Sequence, residues 1–299
     1  MQKDMSHETE SPIKLLVIDI DGTLLNPDGE ITLAAQAAIQ AARQAGIIVT
    51  LATARRYCNT IQIADALGLD IPLIMYDGAM IVQHPQRVIL HKNLLPARVG
   101  QQAVDLMVHH HIQPVVHPDT GLDEQVWTGP PEFDNLWQEA YFSTFPEQVH
   151  RMPFSKLCAG KPDPVRVVAF APEDLIRGLY PGVSQLDCAW NSIRRGSYGT
   201  AELVVMNRTC SKASGVETLA KHFGIAMNEV MAIGDNNNDI EMLQAAGWGV
   251  AMGHAPEAVK AAANAVTATN REDGVAQAIE RFALPRASTA LSNSRKRAT

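Results

Sequence analysis

Two aspartates separated by one residue stand at the end of a short apolar run near the start of the chain. The run covers residues 15–18, and Asp19, Asp21 and Gly22 follow it. Because alternate residues of a strand point the same way, both carboxylates can face one spot. Carboxylates placed that closely repel each other unless they share a proton or bind a cation. The stretch is therefore a candidate metal or acid–base site, although Asp-Gly is also a common turn dipeptide.

Two other apolar runs, at residues 47–52 and 230–233, are also followed by polar residues that suit phosphate chemistry. These residues are Thr53, Asp235 and Asp239. Lys212, which stands just ahead of a predicted helix, completes the set. In a parallel sheet the loops after the strands meet at one edge. Mg²⁺ prefers carboxylates, water and phosphate oxygens as ligands, so the set predicts a Mg²⁺-dependent phosphate site. Taken alone, Lys212 is typical of a surface lysine and Thr53 of a helix cap.

Helices and strands must alternate to position these residues. Strands at residues 15–18, 47–52 and 71–75 enclose one helix at about 32–45 and a second that follows Arg56 and ends near Leu67. This spacing predicts right-handed βαβ units in a parallel sheet.

The pattern changes in the middle of the chain and then returns. Residues 81–206 hold most of the prolines and three of the four tryptophans, which indicates an inserted α+β domain. We therefore predict an α/β fold: a doubly wound parallel-sheet core of residues 12–80 and 207–284, with an inserted α+β cap domain. Residues 1–11 and 285–299 are expected to be disordered tails.

Composition excludes several function classes. The chain of 299 residues has 25 Lys and Arg against 32 Asp and Glu, a formal net charge of −7 that does not favour nucleic acid. The four cysteines have no C-x-x-C spacing and are expected to be free thiols. No apolar stretch reaches the length of a membrane span, and residues 1–11 lack the apolar core of a signal peptide. We expect a cytoplasmic protein without a nucleic-acid or membrane partner.

The motifs together resemble those of the haloacid dehalogenase-like (HAD) hydrolases, and within them the Cof-type phosphatases. The four catalytic motifs that carry the resemblance are Asp19-Ile20-Asp21-Gly22-Thr23-Leu24, Ala52-Thr53-Ala54-Arg55, Ser211-Lys212, and Gly234-Asp235 with Asn238-Asp239. The match continues through Gly249-Val250-Ala251-Met252-Gly253 to Glu272-Asp273-Gly274-Val275. It covers about half of the chain, and the insert matches the cap of this subfamily in size and placement.

The resemblance implies catalytic and metal-binding roles. Asp19 is the expected nucleophile, which forms an aspartyl phosphate, and Asp21 is the expected general acid and base. Mg²⁺ is expected on the Asp19 carboxylate, the Asp21 backbone carbonyl and Asp235, while Asp239 supports the waters on the metal.

Phosphate-binding roles follow from the same resemblance. Thr53 and Lys212 are expected to bind the phosphoryl oxygens, with Ala54 in the same loop and Asn238 on the phosphate or on Lys212. Thr53 would also precede the N-terminus of a helix, which favours an anion.

The chain also departs from the family pattern. Ala54 stands in place of Gly, Asp77 in place of Asn, Ala213 in place of Gly and His254 in place of Asn. Three of these lie near the expected mouth of the site, where they bear on substrate preference.

The expected activity is hydrolysis of a small phosphorylated metabolite, a sugar phosphate or a phosphorylated cofactor. Two alternatives stay open: a phosphotransferase such as a phosphohexomutase of the same superfamily, and a catalytically idle regulatory binding protein.

Overall fold

The computed structural model describes residues 12–194, 196 and 199–284, so the tails predicted at 1–11 and 285–299 lie outside the described residues. The strands are β1 (Leu15–Ile18), β2 (Ile48–Leu51), β3 (Pro72–Met75), β4 (Met80–Gln83), β5 (Val88–Lys92), β6 (Pro114–His117), β7 (Val126–Thr128), β8 (Val149–Arg151), β9 (Arg166–Ala171), β10 (Cys188–Ile193), β11 (Ala201–Asn207), β12 (Val230–Gly234), β13 (Trp248–Ala251) and β14 (Ala265–Val266). The α-helices are α1 (Leu33–Gln44), α2 (Ile61–Ala66), α3 (Ala97–His109), α4 (Leu136–Ser143), α5 (Glu173–Val183), α6 (Lys212–His222), α7 (Ile240–Ala245), α8 (Glu257–Ala262) and α9 (Gly274–Ala278). Among the described residues, no helix has both the length and the apolar character needed to cross a membrane.

The core is a five-stranded parallel sheet in the order β14-β13-β12-β1-β2, which confirms the predicted α/β architecture. All residues of the interior strand β1 are fully buried, as expected for a strand covered on both faces. Leu16 and Ile18 pack in the apolar layer that contains α1 and α9, whereas Leu15 and Val17 pack with α6, α7 and α8. The loops after β1, β2 and β12 consequently meet at the carboxyl edge of the sheet.

An antiparallel three-stranded sheet, β3-β4-β5, continues the core at one side. A parallel bridge between Ala52 and Ile74 places β3 beside the segment that follows β2. Strand pairing thus keeps residues 81–92 with β3, whereas the sequence-based division assigns them to the insert. Gly78, with φ +93, turns the chain back on itself between β3 and β4, so the chain stays beside the core for two more strands.

The inserted unit, defined here as residues 94–206, is built on a six-stranded sheet in the order β10-β11-β9-β6-β7-β8. Side chains alternate along its buried strand β9. Val167 and Ala169 pack with α3 and α5, whereas Val168 and Phe170 belong to the apolar cluster that also contains core residues. One face of this sheet is therefore covered by its own helices, and the other is buried toward the core.

Two neighbouring chain segments join the inserted unit to the core. The N–H of Asn93 donates to the carbonyl of Ala79 in the core, and the N–H of Leu95 donates to Pro164 in the inserted unit. The outgoing and returning segments also bond to each other. The side chain of Asn207 donates to the carbonyl of Leu94 at 2.8 Å. The two ends of the inserted unit thus lie side by side.

Candidate active site

Asp19 lies directly after β1, at the carboxyl edge of the core sheet. Its backbone N–H donates to the carbonyl of Ile233 in β12 at 3.0 Å, and its side chain is buried, with the residue 4% exposed. The Nζ of Lys212 donates to Asp19 Oδ1 at 2.7 Å. Burial raises the pKa of the Asp19 carboxyl well above its usual value; Lys212 opposes this shift, and Asp239 and Asp235 add to it.

Asp21 lies in different surroundings, because β1 ends at Ile18 and a wide turn, Ile20–Leu24, follows. Strand alternation therefore does not extend to Asp21, whose side chain is 49% exposed. The guanidinium of Arg55 holds both of its oxygens, with Nε donating to Oδ2 at 2.7 Å and Nη2 to Oδ1 at 2.6 Å. A bidentate pair of this kind fixes the orientation of the carboxylate.

The wide turn brings the first loop against the loop that follows β12. Gly22 has φ +84, and a Cβ at this position would lie 2.4 Å from Oδ2 of Asp235. The hydroxyl of Thr23 donates to Oδ1 of Asp235 at 2.9 Å. A glycine is thus required here for both backbone conformation and space.

Three carboxylates form an acidic cluster at this edge, which consists of Asp19, Asp235 and Asp239. One oxygen of each lies within 4.8 Å of the others. Asp239 is wholly buried, and its Oδ2 accepts from the backbone N–H groups of Asp235 at 3.0 Å and Asn236 at 2.9 Å. Burial, followed by the charge of Asp239, raises the pKa of Asp235 to about 6. Such a cluster is an oxygen-rich site for a cation.

Lys212 is the buried cation of the site and not a surface lysine. It is the first residue of α6, whose N-terminus is capped by reciprocal bonds between Ser211 and Ser214. The residue is 2% exposed, and its Nζ donates to Asp239 Oδ1 at 2.7 Å as well as to Asp19. Burial alone would lower the pKa of Lys212, but these two carboxylates raise it, so the ammonium stays charged.

Thr53 follows β2 but does not precede a helix N-terminus, so this expectation from the sequence is wrong. The next helix, α2, begins only at Ile61. The intervening N–H groups of Tyr57 and Cys58 donate to the side chain of Glu124 at 2.6 and 2.9 Å. This carboxylate, which comes from the inserted unit, is the acceptor of both N–H groups.

Ala54 and Asn238 lie on loops that meet near Asp77. The Nδ2 of Asn238 donates to Asp77 Oδ1 at 2.9 Å, and the N–H of Asp77 donates to the carbonyl of Thr53 at 2.9 Å. The carbonyl of Ala54 accepts from Nη1 of Arg166, in β9, at 2.8 Å. Asp77, where the family usually has Asn, is thus part of the site's polar framework.

Sequence reasoning assigned no role to three side chains at this site: Arg55, Glu124 and Arg166. Arg55 carried a usable signal, because it stands two residues after Thr53 in the same motif. Glu124 and Arg166 carried none, since they lie 67 and 112 residues away from the backbone groups that they bond. Only the folded chain brings them to this loop.

Comparisons with known proteins identify the family of this chain. The family model of haloacid dehalogenase-like hydrolases matches residues 16–279. Pyridoxal phosphate phosphatase YbhA of Escherichia coli is 30% identical over 281 residues, which cover 89% of this chain and 97% of YbhA. The 5-amino-6-(5-phospho-D-ribitylamino)uracil phosphatase YitU of Bacillus subtilis is 28% identical, covering 90% of this chain and 97% of YitU.

Solved structures show the same architecture over about nine-tenths of this chain. A haloacid dehalogenase-like hydrolase from Bacillus subtilis superposes with a TM-score of 0.72 at 27% identity, covering 90% of this chain and 99% of its own. The HAD subclass IIB sugar phosphatase BT4131 gives a TM-score of 0.72 at 25% identity, with coverages of 89% and 98%. The chain therefore belongs to the haloacid dehalogenase-like hydrolases, and among them to the Cof-type phosphatases, a group of phosphoric monoester hydrolases.

Proposed function

We propose that this phosphatase hydrolyses a small phosphorylated metabolite, uses Mg²⁺, and works through an aspartyl phosphate on Asp19. The observation that carries the proposal is the acidic cluster with Lys212 bonded to its member Asp19. Three carboxylates there face one ammonium, which leaves two formal negative charges. Such a site repels a phosphate dianion unless further positive charge is present.

The donor set fits Mg²⁺. All of the cluster's ligand atoms are carboxylate oxygens, which hard divalent cations prefer, and one divalent ion cancels the two remaining charges. Asp19, Asp235 and the Asp21 backbone carbonyl would hold the ion, with Asp239 orienting its waters. When bound, the ion would offset negative charge on the phosphoryl oxygens.

The residues of the chain can perform the displacement in two steps. An Asp19 oxygen attacks phosphorus as the bond from phosphorus to the ester oxygen breaks, and Asp21 gives that oxygen a proton. Water then attacks the aspartyl phosphate, and Asp21 takes the proton that water loses. Phosphate leaves and the Asp19 carboxylate is restored. Asp21 must enter the first step with a proton and so regains it in the second, and Arg55 orients Asp21, since in the structure it binds this side chain at both oxygens.

Phosphate binding falls to the surrounding loops. Lys212 is proposed to place its charge beside the transferring group, since its Nζ lies 2.7 Å from Asp19 Oδ1. Thr53 and Ala54 lie in the loop after β2. Asn238, whose amide donates to Asp77, lies in the loop after β12. Together they would bind the phosphoryl oxygens without taking part in proton transfer.

The names of the relatives support the proposed substrate class. Their names specify pyridoxal phosphate, a phosphorylated ribitylaminouracil and, for the solved structure, a sugar phosphate. All of these are phosphate monoesters of small polar molecules, and we propose the same class for this chain.

A cytoplasmic location is part of the proposal. The cysteines at 58, 158, 188 and 210 are all free thiols. Burial raises the pKa of Cys158 and Cys210 to about 12, so these two buried thiols stay protonated. Unpaired thiols are typical of a reducing compartment.

Phosphate release tests the function directly. We expect the chain to hydrolyse p-nitrophenyl phosphate with Mg²⁺, and one member of a metabolite panel containing pyridoxal phosphate and sugar phosphates far better. A mutase would instead move phosphate between sugars and release little of it. A protein that binds a panel member without turnover would be the idle regulatory alternative.

Metal dependence should follow the protonation of Asp235. Activity is expected to vanish with a chelator and to return with Mg²⁺. A carboxyl must lose its proton to bind the ion, and the pKa of Asp235 is raised to about 6, so affinity should be highest above that pH. Below about pH 6, displacement of at least this one proton lowers the affinity by at least about tenfold per pH unit. Calorimetric titration with Mg²⁺ measures this, and an affinity that stays constant on acidification would contradict it.

Asp21→Asn should damage general acid catalysis selectively. We expect the rate for an alkyl phosphate to fall about 10²–10⁴-fold, because the alkoxide then leaves without a proton. The loss for p-nitrophenyl phosphate should be smaller, since p-nitrophenolate leaves readily. Steady-state rates with both substrates measure the difference, and Asp28→Asn, an exposed acid in the following turn, is the matched control. Equal losses for both substrates would refute the role of Asp21.

A further inference from the structure

A carboxylate from the inserted unit is buried against the core's second loop, residues 53–60. Glu124, between β6 and β7, is 7% exposed. Its Oε1 accepts from the N–H of Tyr57 at 2.6 Å and the hydroxyl of Tyr76 at 2.8 Å, and its Oε2 accepts from the N–H of Cys58 at 2.9 Å. All three donors belong to the core. Glu124 itself has φ +49, an uncommon conformation for a residue with a side chain, which its fixed surroundings maintain.

A second group of the inserted unit holds the other end of the same loop. Nη1 of Arg166 donates to the carbonyl of Ala54 at 2.8 Å, and its guanidinium lies over the ring of Tyr76 at 4.8 Å. The inserted unit therefore bonds the loop on both sides of Arg55, at residue 54 and at residues 57 and 58.

The residue between these two attachments is the one that orients Asp21. The side chain of Arg55 makes the bidentate pair with Asp21, and its backbone carbonyl accepts from the N–H of Tyr76. The segment has no helix of its own before Ile61. Without Glu124, the N–H groups of Tyr57 and Cys58 lose the acceptor that holds them, and the loop gains other conformations.

We propose that Glu124 and Arg166 are positioning residues that hold Arg55 in place, so that Asp21 is oriented for proton transfer only while the inserted unit is closed on the core. The inference rests on the proposed role of Asp21 as general acid. In this proposal the inserted unit covers the site and also orients the general acid, Asp21.

A surface contact between the same two parts of the chain provides the matched control. Asp119, in the same connection between β6 and β7, accepts from Nζ of Lys92 at 2.6 Å, and this pair is partly exposed. It joins the inserted unit to β5 but makes no bond to residues 53–60. Asp119→Asn thus removes the charge from one contact between the two parts without touching the loop.

Two measurements on the full-length protein test the proposal. The first is amide hydrogen exchange at Tyr57 and Cys58, which we expect to become at least about tenfold faster in Glu124→Ala and to stay close to wild type in Asp119→Asn. The second is the rate with an alkyl phosphate and with p-nitrophenyl phosphate. Glu124→Ala and Arg166→Gln should each lower the rate with the alkyl phosphate about 10²-fold. The rate with p-nitrophenyl phosphate should fall by no more than about threefold. Glu124→Gln keeps one acceptor oxygen, so its rate with the alkyl phosphate should lie between those of the wild type and Glu124→Ala.

The outcomes distinguish a positioning role of Glu124 and Arg166 from a merely structural one. They also distinguish failure of this proposal from failure of the proposed function. Equal losses with both substrates would show that Glu124 and Arg166 only hold the two parts together, which overturns the proposal. Unchanged exchange at Tyr57 and Cys58 would overturn it as well. A wild-type protein that hydrolyses neither substrate would refute the proposed function itself, a result recognisable before any variant is made.

Discussion

Asp19→Asn is expected to reduce kcat by at least about 10⁴-fold while the protein stays folded. The substitution keeps the volume of the side chain but replaces the attacking carboxylate by an amide, a poor nucleophile. Lys212 retains its bond to Asp239, so the buried ammonium is not left without a partner. Phosphate release from p-nitrophenyl phosphate measures the rate, and circular dichroism checks the fold.

A second readout tests the covalent step by itself. Rapid acid quenching of the wild type during turnover should trap phosphate on the peptide that contains Asp19, and mass spectrometry should find none in Asp19→Asn. Asp28→Asn, which changes an exposed acid nearby in sequence, should behave as wild type. A variant at residue 19 that kept a tenth of the rate would exclude Asp19 as the nucleophile.

Lys212→Met is expected to lower both activity and stability. The ammonium lies between two buried carboxylates, at 2.7 Å from each. Removal of one member of a buried ion pair typically costs about 3–5 kcal/mol, because the remaining charge is left without compensation. Activity should fall about 10²–10³-fold, since positive charge is lost where negative charge develops.

Thermal unfolding separates these effects. The melting temperature should drop strongly in chelator and recover in part with Mg²⁺, because the ion returns positive charge to the same carboxylates. Lys260→Met is the control, since Lys260 pairs with an exposed Glu257 at the surface and should cost at most about 1 kcal/mol. A metal-free variant at residue 212 that melts as the wild type does would contradict the electrostatic account.

Much of the core was predictable because its signals are local. The apolar run before Asp19 and the one before Asp235 correspond to β1 and β12, which are adjacent in the parallel sheet. Loops after such strands must meet, and the structure brings Asp19, Asp235 and Asp239 together. Lys212 follows the same logic, although its burial between two carboxylates depends on α6 packing against the sheet.

The remaining features depend on contacts between residues far apart in the sequence. The segment after Thr53 has a helical pattern, but its N–H groups at Tyr57 and Cys58 bond to the distant Glu124, and the helix starts only at Ile61. Likewise, Asn238 bonds to Asp77, a partner 161 residues away. Local patterns contain no information on such pairs, which is why sequence reasoning located the loops but not their bonding.

The two ends of the inserted unit lie side by side, and this arrangement affects how the insert can change without disturbing the core. The side chain of Asn207 bonds to the carbonyl of Leu94, and that of Asn93 bonds to Thr209, so chain exit and re-entry are tied together. For the core, a folded insert with adjoining ends costs little more closure entropy than a short surface loop. The insert can therefore change in length and sequence without stretching the sheet that carries Asp19. Recombination at this junction should yield folded chimaeras that acquire another protein's substrate range, and that keep the chemistry where the new insert supplies groups equivalent to Glu124 and Arg166.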